Sequence, residues 1–368
     1  MKIISLFNNK GGVGKTTLAF HLSHSLSEMG YKVLMIDADP QCNLTISSLF
    51  DDKIAEIWEK EDQFIEDFKT TKEKIGIDKF DEINSEPRTI HYLLKTTEEG
   101  TGDLEVLPPP VQVTANLGLI PGRLSMHMYE DKIAERWNGV YRGDPLSIRT
   151  ITKIRSLAED YGSEYGYDFA IIDTSPSLGI LNKVIISTVD GFLIPCLPDM
   201  FSLYGIRNIG DYLSRWKKEF ETIYSLISNE KRAQFPSSFV SFLGFTIYNA
   251  KKYTAVTPLD LAQAHYSYAL QIPETVKGYI QQDVRAHLDE TMLSTPIGGK
   301  AIMHTHNTLP NITQKYKNPM WKVPSLEFLE QEDIATIRGG SRATYEGTRG
   351  KYIEFTEDLL LRIGTLEA

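Results

Sequence analysis

The sequence predicts a doubly wound α/β fold, a mostly parallel sheet with helices on both faces. Three observations carry that expectation. Short apolar runs alternate with segments of helical periodicity along most of the chain. A glycine-rich stretch lies between the first such run and the first helical pattern. Two apolar runs end in aspartate, at the strand ends where open α/β sheets bind ligands.

The first run, Ile3 to Phe7, leads into Asn8-Asn9-Lys10-Gly11-Gly12-Val13-Gly14-Lys15-Thr16-Thr17. Leu18, Leu22, Leu26 and Met29 then fall on one helical face. Strand, glycines, helix is the context of a phosphate-binding loop. A helix N-terminus has unpaired N–H groups and partial positive charge. Glycines let successive N–H groups turn inward without Cβ clashes. Lys15 then reaches the β- and γ-phosphates, and the Thr16 hydroxyl suits Mg²⁺. The strict pattern asks for glycine at position 9, where this chain has Asn9. A dinucleotide fingerprint fails, because its third glycine would fall at Thr17.

Tyr31 to Asp37 reads as a second buried strand, ending in Asp37-Ala38-Asp39-Pro40-Gln41. Residues two apart on extended chain point the same way, so both carboxylates are expected to face the phosphate loop. The blander reading is a turn cap, since Asp before Pro is common in turns. Residues 51–86 hold 13 Asp/Glu and 6 Lys around Trp58, Phe64, Ile65, Phe68 and Ile75. One or two surface helices are expected there, with 51–74 the better case.

Leu104 to Leu107 and Leu117 to Ile120 read as short strands around a turn at Pro108-Pro109-Pro110, which cannot be helix interior. An amphipathic helix is expected over 148–161. Tyr167 to Asp173 is another buried strand, running into Thr174-Ser175-Pro176-Ser177-Leu178-Gly179. An acid directly after an apolar strand is the Walker B arrangement, and Mg²⁺ prefers one or two carboxylates nearby. Phe192 to Pro195 and Phe239 to Tyr248 are further strands, with a helix over 206–227 between them and Asn249 after the last. Lys217 and Lys218 fall on that helix's outer face. Helices are expected over 258–270, 276–290 and 345–363, and irregular chain over 294–325. His304 and His306, two apart with no third ligand, make a weak metal signal. Arg338, Arg342, Arg349 and Lys351 lie among glycines near the end.

With 368 residues, 41% hydrophobic and 24% charged, the chain has material for a large core. Cys42 and Cys196 are too few for a disulfide framework and form no metal signature. No apolar run is long enough for a membrane span or signal peptide, so a cytoplasmic protein is expected. The net charge of −10 argues against nucleic acid, but residues 51–86 carry −7 of it. A local basic face elsewhere remains compatible with the balance.

Lys10-Gly11-Gly12-Val13-Gly14-Lys15-Thr16-Thr17 resembles the deviant Walker A motif of the ParA/MinD family of ATPases. Asp37-Ala38-Asp39-Pro40-Gln41 resembles that family's switch I, and Ile171 to Gly179 its switch II. Leu117 to Gly122 and the Phe201-Ser202-Leu203 segment also resemble it. The likeness covers about residues 1–250 and is interrupted at 51–86, which looks like an insertion. One domain over 1–368 is expected, with an extended C-terminal region at about 251–368.

The resemblance implies a P-loop NTPase fold, ATP and Mg²⁺ as cofactors, and a homodimer in the ATP state. It implies catalytic roles for Lys10, Lys15 and Asp39. Lys10 would act across the dimer, and Asp39 would position the attacking water. Nucleotide contacts would come from Lys10, Gly11, Gly12, Val13, Gly14, Lys15, Thr16, Thr17 and Asn249, the last at the adenine. Thr16, Asp37 and Asp173 would attend the metal. The implied job is plasmid or chromosome partition, with a ParB-like partner and non-specific double-stranded DNA; nucleoid association would follow. Arg338, Arg342, Arg349 and Lys351 are the DNA candidates. The chain starts at its phosphate loop, so the N-terminal DNA-reading domain of some plasmid members is not expected.

The alternative is an ATP switch that regulates or positions a protein partner without DNA. A small-molecule ligase or iron–sulfur reductase of the wider superclass is a third reading, and the two cysteines do not match the reductase pattern. No membrane partner is expected, because the tail from Tyr352 to Arg362 is acidic where the membrane-binding subfamily is basic.

Overall fold

The computed structural model describes residues 1–233, 235–248, 250, 252, 257–299 and 309–367. Asn249, His304 and His306 lie outside the described residues.

Among the described residues, seven strands form one sheet: β1 (Lys2–Leu6), β2 (Val33–Asp37), β3 (Val111–Thr114), β4 (Leu117–Ile120), β5 (Phe169–Asp173), β6 (Gly191–Cys196) and β7 (Ser241–Ile247). Their spatial order is β3-β4-β2-β5-β1-β6-β7. Every pair is parallel except β3 with β4. This is the doubly wound sheet the alternating pattern predicts. Both faces are covered, and the apolar residues divide by parity. Leu34, Ile36, Ala170 and Ile172 enter one core, under helices that include Pro145–Tyr165 and Met200–Leu226. Val33, Met35, Phe169 and Ile171 enter the other, under helices Lys15–Glu28 and Arg342–Gly364.

The register sets the site. Asp37 pairs with Asp173 across β2 and β5, and Leu6 pairs with Asp173 across β1 and β5. The three C-terminal strand ends therefore open onto one place, where the chain order reverses direction across the sheet.

Several expected elements differ. Leu104–Leu107 is not a strand. The edge strand is Val111–Thr114, just past the three prolines, which offer no N–H to a ladder. Three helices, Asp51–Glu66, Phe68–Ile75 and Ile77–Asn84, occupy the acidic stretch. Asp67 caps the second, accepting from the Thr70 N–H at 3.0 Å, and Gly76 at φ 78° separates it from the third. Phe64, Phe68 and Phe80 pack with Tyr92 in the main core. Glu61 accepts from the Thr89 N–H and hydroxyl, both at 2.6 Å, so this segment is bolted to the sheet domain.

The expected helix over 276–290 is broken. Helix Ile272–Tyr279 ends, a single turn Gln282–Arg285 follows, and Asp289 caps Glu290–Ser294 by accepting from the Met292 N–H at 2.7 Å. Lys217, expected to face solvent, pairs with Asp283 of that turn.

The last helix is fastened to β7 by one buried arginine. The Arg362 guanidinium donates to the carbonyls of Met292 (2.8 Å), Thr295 (3.2 Å) and Leu243 (3.3 Å) and pairs with Asp358 at 3.1 Å. Removing it leaves three carbonyls without this donor, one of them in the buried strand β7, while Asp358 keeps the Gly298 N–H at 2.8 Å. Arg362→Ala is expected to lower unfolding free energy by about 3 kcal/mol. Urea denaturation measures this; a loss under about 1 kcal/mol would show that water replaces the guanidinium.

Candidate functional site

The phosphate loop is shaped by two glycines in the left-handed region, Gly12 (φ 74°) and Gly14 (φ 82°). At Gly14 a Cβ would also lie 2.2 Å from the Tyr248 ring. Conformation and space both demand glycine there. Asn8 holds the loop: its amide donates to the Pro195 carbonyl at 2.7 Å and its Oδ1 accepts from the Lys10 N–H at 2.9 Å. Lys15 Nζ donates to the Asn8 carbonyl at 3.0 Å. Burial depresses the Lys15 pKa, and the Asp173 and Asp39 charges oppose that shift.

The loop forms the floor of a cleft of about 310 Å³. Gly11 through Thr17, Asp39, Thr174 and Pro176 line it on one side. Asp39 is buried, and its Oδ1 accepts from the Gln41 N–H at 2.9 Å, which fixes the carboxylate at the cleft edge.

Asp37 is spent differently. Its Oδ2 accepts from the Thr45 N–H (2.7 Å) and hydroxyl (2.6 Å), at the start of helix Asn43–Ser48. Thr45 Oγ1 in turn accepts from the Gly122 N–H at 2.7 Å. Burial raises the Asp37 pKa to about 6, partly countered by Thr45. Asp37 thus braces the helix that follows Asp39.

Asp173 is fully buried; among the described residues neither carboxylate oxygen has a partner at full hydrogen-bond geometry, and the Thr16 hydroxyl is the donor beside it. Desolvation and the Asp37 charge push its pKa up to about 8, against the pull of Thr16 and Lys15. A buried carboxylate so poorly partnered is costly unless a ligand completes it. Its neighbours are the Thr16 hydroxyl and Lys15. Oxygen donors of this kind suit Mg²⁺, and the residues present fit that ion.

Lys10 stands apart from the cleft. Its Nζ pairs with Asp199 Oδ2 at 2.5 Å and lies 5.6 Å from the Phe201 ring centre. Asp199 also caps helix Met200–Leu226, accepting from the Ser202 N–H at 2.8 Å. With this cap the helix expected over 206–227 begins at Met200, and neither the cap nor the pairing across 189 residues was read from the sequence.

Sequence reasoning missed the opposite wall. Asn43, Ser47, Pro310, Asn311 and Gln314 complete the cleft, the last three from helix Leu309–Tyr316. The four DNA candidates lie outside it. Arg349 pairs with Glu28 (2.9 Å), Arg342 with Glu346 (2.7 Å), and Arg338 donates to the Leu326 carbonyl. Arg338, Arg342 and Arg349 are exposed, and half-buried Lys351 has its pKa lowered by desolvation. Among the described residues, no helix is long and apolar enough to cross a membrane.

The AAA_31 family model, an AAA domain, matches residues 1–225. An uncharacterized protein of Methanocaldococcus jannaschii is 29% identical over 220 residues, 59% of this chain and 67% of that one. The sporulation initiation inhibitor Soj of Bacillus subtilis is 28% identical over 229 residues, 60% of this chain and 68% of Soj. The probable plasmid-partitioning protein ParA of Thermus thermophilus is 25% identical over 223 residues, 60% of this chain and 53% of that protein. The chain spans about half the length of several such relatives.

Among solved structures, pNOB8 ParA superposes with TM-score 0.58 at 18% identity, covering 99% of this chain and 98% of that one. The same ParA bound to nonspecific DNA gives 0.53 at 17%, covering 99% and 98%. The Cyanothece McdA–ATP complex gives 0.54 at 17%, covering 99% and 96%. These identities speak for the fold. Together with the match over residues 1–225, the chain belongs to the ParA/MinD-like family of deviant Walker A ATPases.

Proposed function

We propose that the protein hydrolyses ATP with Mg²⁺ as a nucleotide-dependent homodimer, and that this cycle drives partition or cargo positioning on non-specific DNA with a ParB-like stimulator. The observation that carries the reading is the division between two lysines. Lys15 lies in the cleft; Lys10 is held outside it by Asp199. Among the described residues, the cradle of one chain thus holds one lysine, and a second chain can supply the other cation.

The loop N–H groups and Lys15 hold the phosphates. Asp39, fixed by the Gln41 N–H, orients water for attack on the γ-phosphate. Thr16 and Asp173 would hold Mg²⁺, which neutralises phosphate charge when bound. Asp37 ties this corner to helix Asn43–Ser48, so a change at the γ-phosphate is felt there. A γ-phosphate that favours the dimer makes hydrolysis its release. Exposed Arg342 and Arg349, seven residues apart on one helix, are the DNA-phosphate contacts carried by this reading, with Arg338 and Lys351 beside them.

The test is mobility of non-specific duplex DNA with ATP, ADP or no nucleotide. The expected result is a shift that needs ATP, strengthens in Asp39→Ala, weakens with salt, and is lost in Arg342→Glu/Arg349→Glu. ATP-bound dimers that leave DNA unshifted would refute the DNA step and favour a switch acting on a protein partner. An intact shift in the double variant would refute only the arginine assignment.

A further inference from the structure

The cleft has two unlike walls. On the loop side stand Lys15 and a row of backbone N–H groups, the donors a polyphosphate needs. Among the described residues, the far wall bears no charge. Its polar groups are Asn43, Ser47, Asn311 and Gln314, each able both to donate and to accept. Asn311 and Gln314 are three apart on helix Leu309–Tyr316 and so share a face. Both are exposed, whereas Leu309 and Thr313 of the same helix are buried. The helix's own cation is spent elsewhere: Lys315 pairs with Glu330 and Asp333, each at 2.7 Å.

This wall is also held in place. Lys317 Nζ donates to the Ile46 carbonyl at 2.6 Å, on helix Asn43–Ser48. His21 Nε2 accepts from the Met320 N–H at 3.2 Å, and Trp321 Nε1 donates to Glu28 at 2.8 Å. His21 Nδ1 meets the Thr17 carbonyl at 2.7 Å, so the ring carries its proton there and Nε2 is the acceptor. The segment is thus fastened to the helix that begins at the phosphate loop, and its amides line the same cleft as Lys15.

From this geometry we propose that Asn311 and Gln314 bind the nucleoside half of the nucleotide. Neutral donor–acceptor groups match ribose hydroxyls and a base edge, while the phosphates are already served by Lys15 and the loop N–H groups on the opposite wall. The Pro310 ring beside them offers an apolar surface to the sugar or base. The C-terminal region therefore takes part in recognising which nucleotide enters, in addition to covering the sheet. This proposal rests on the ATPase reading above.

The experiment is calorimetric titration of the full chain with ATP and, separately, with inorganic tripolyphosphate, which has no nucleoside. Asn311→Ala/Gln314→Ala is expected to weaken ATP about tenfold, the scale of two neutral hydrogen bonds, and to leave tripolyphosphate within twofold of wild type. Unchanged tripolyphosphate affinity also shows that the variant is folded around an intact loop. ATP affinity within twofold of wild type would overturn the proposal, as would equal weakening of both ligands. Wild-type protein that binds neither ligand would instead overturn the ATPase reading, and this proposal with it.

Discussion

Lys10→Ala is expected to bind ATP normally and to hydrolyse it at least 10²-fold more slowly, about the loss seen when one charge-stabilising donor leaves a transition state. The geometry explains the split. Lys10 lies outside the cleft, in an ion pair with Asp199, so ground-state binding by one chain does not use it. Asp39→Ala should be as slow for a different reason, the loss of the group that orients water. The informative measurement mixes the two inactive proteins. In a mixed dimer, one site holds the Asp39 of the first chain and receives the Lys10 of the second. Activity should return to about a quarter of wild type, since half of random dimers are mixed and each has one complete site. If Lys10 acted within its own chain, the mixture would stay silent.

Asp173→Asn should make the free protein more stable and the enzyme inactive. The wild-type carboxylate is fully buried next to Asp37 and Asp39, and among the described residues neither oxygen has a partner at full hydrogen-bond geometry. With its pKa pushed up to about 8, Asp173 must take up a proton on folding at neutral pH, and an amide removes that cost at nearly constant volume. The gain should be on the order of 1–3 kcal/mol in nucleotide-free protein, read as a rise in urea midpoint. Hydrolysis should fall at least 10²-fold, because a neutral amide is a poor partner for Mg²⁺. Stability that falls in Asp173→Asn would mean that the carboxylate serves the fold. Hydrolysis that survives would mean that the metal is held without it.

Local chemistry was the legible part of this protein. The strand–loop–helix at Ile3 to Met29 needed no distant residue to be read, because glycine tolerance and helix N-terminal polarity are properties of the segment itself. The acids closing β2 and β5 were legible for the same reason: a strand's period is two and its end is marked by polarity. Their shared position followed from parallel topology, and the Asp37–Asp173 register matches it. The weak places were those where short apolar runs had to be assigned to an edge. Leu104–Leu107 and Val111–Thr114 look alike in sequence, and pairing with β4 chose between them.

What only the tertiary structure decided are the pairings that span the chain. Lys10 meets Asp199, Asp37 turns from the cleft toward Thr45, and Glu28 collects Trp321, Lys322 and Arg349. Arg349 looked free in sequence because nothing near it is acidic except Glu346 and Glu354, and its partner lies 321 residues away. The far wall of the cleft is the clearest case. Asn311 and Gln314 sit in a proline-rich stretch with no motif, and they face the phosphate loop because the last third of the chain folds back over the helix Lys15–Glu28. Sequence alone determines which residues have the chemistry to hold a phosphate. Packing decides which others stand opposite them, because that depends on contacts no local pattern encodes.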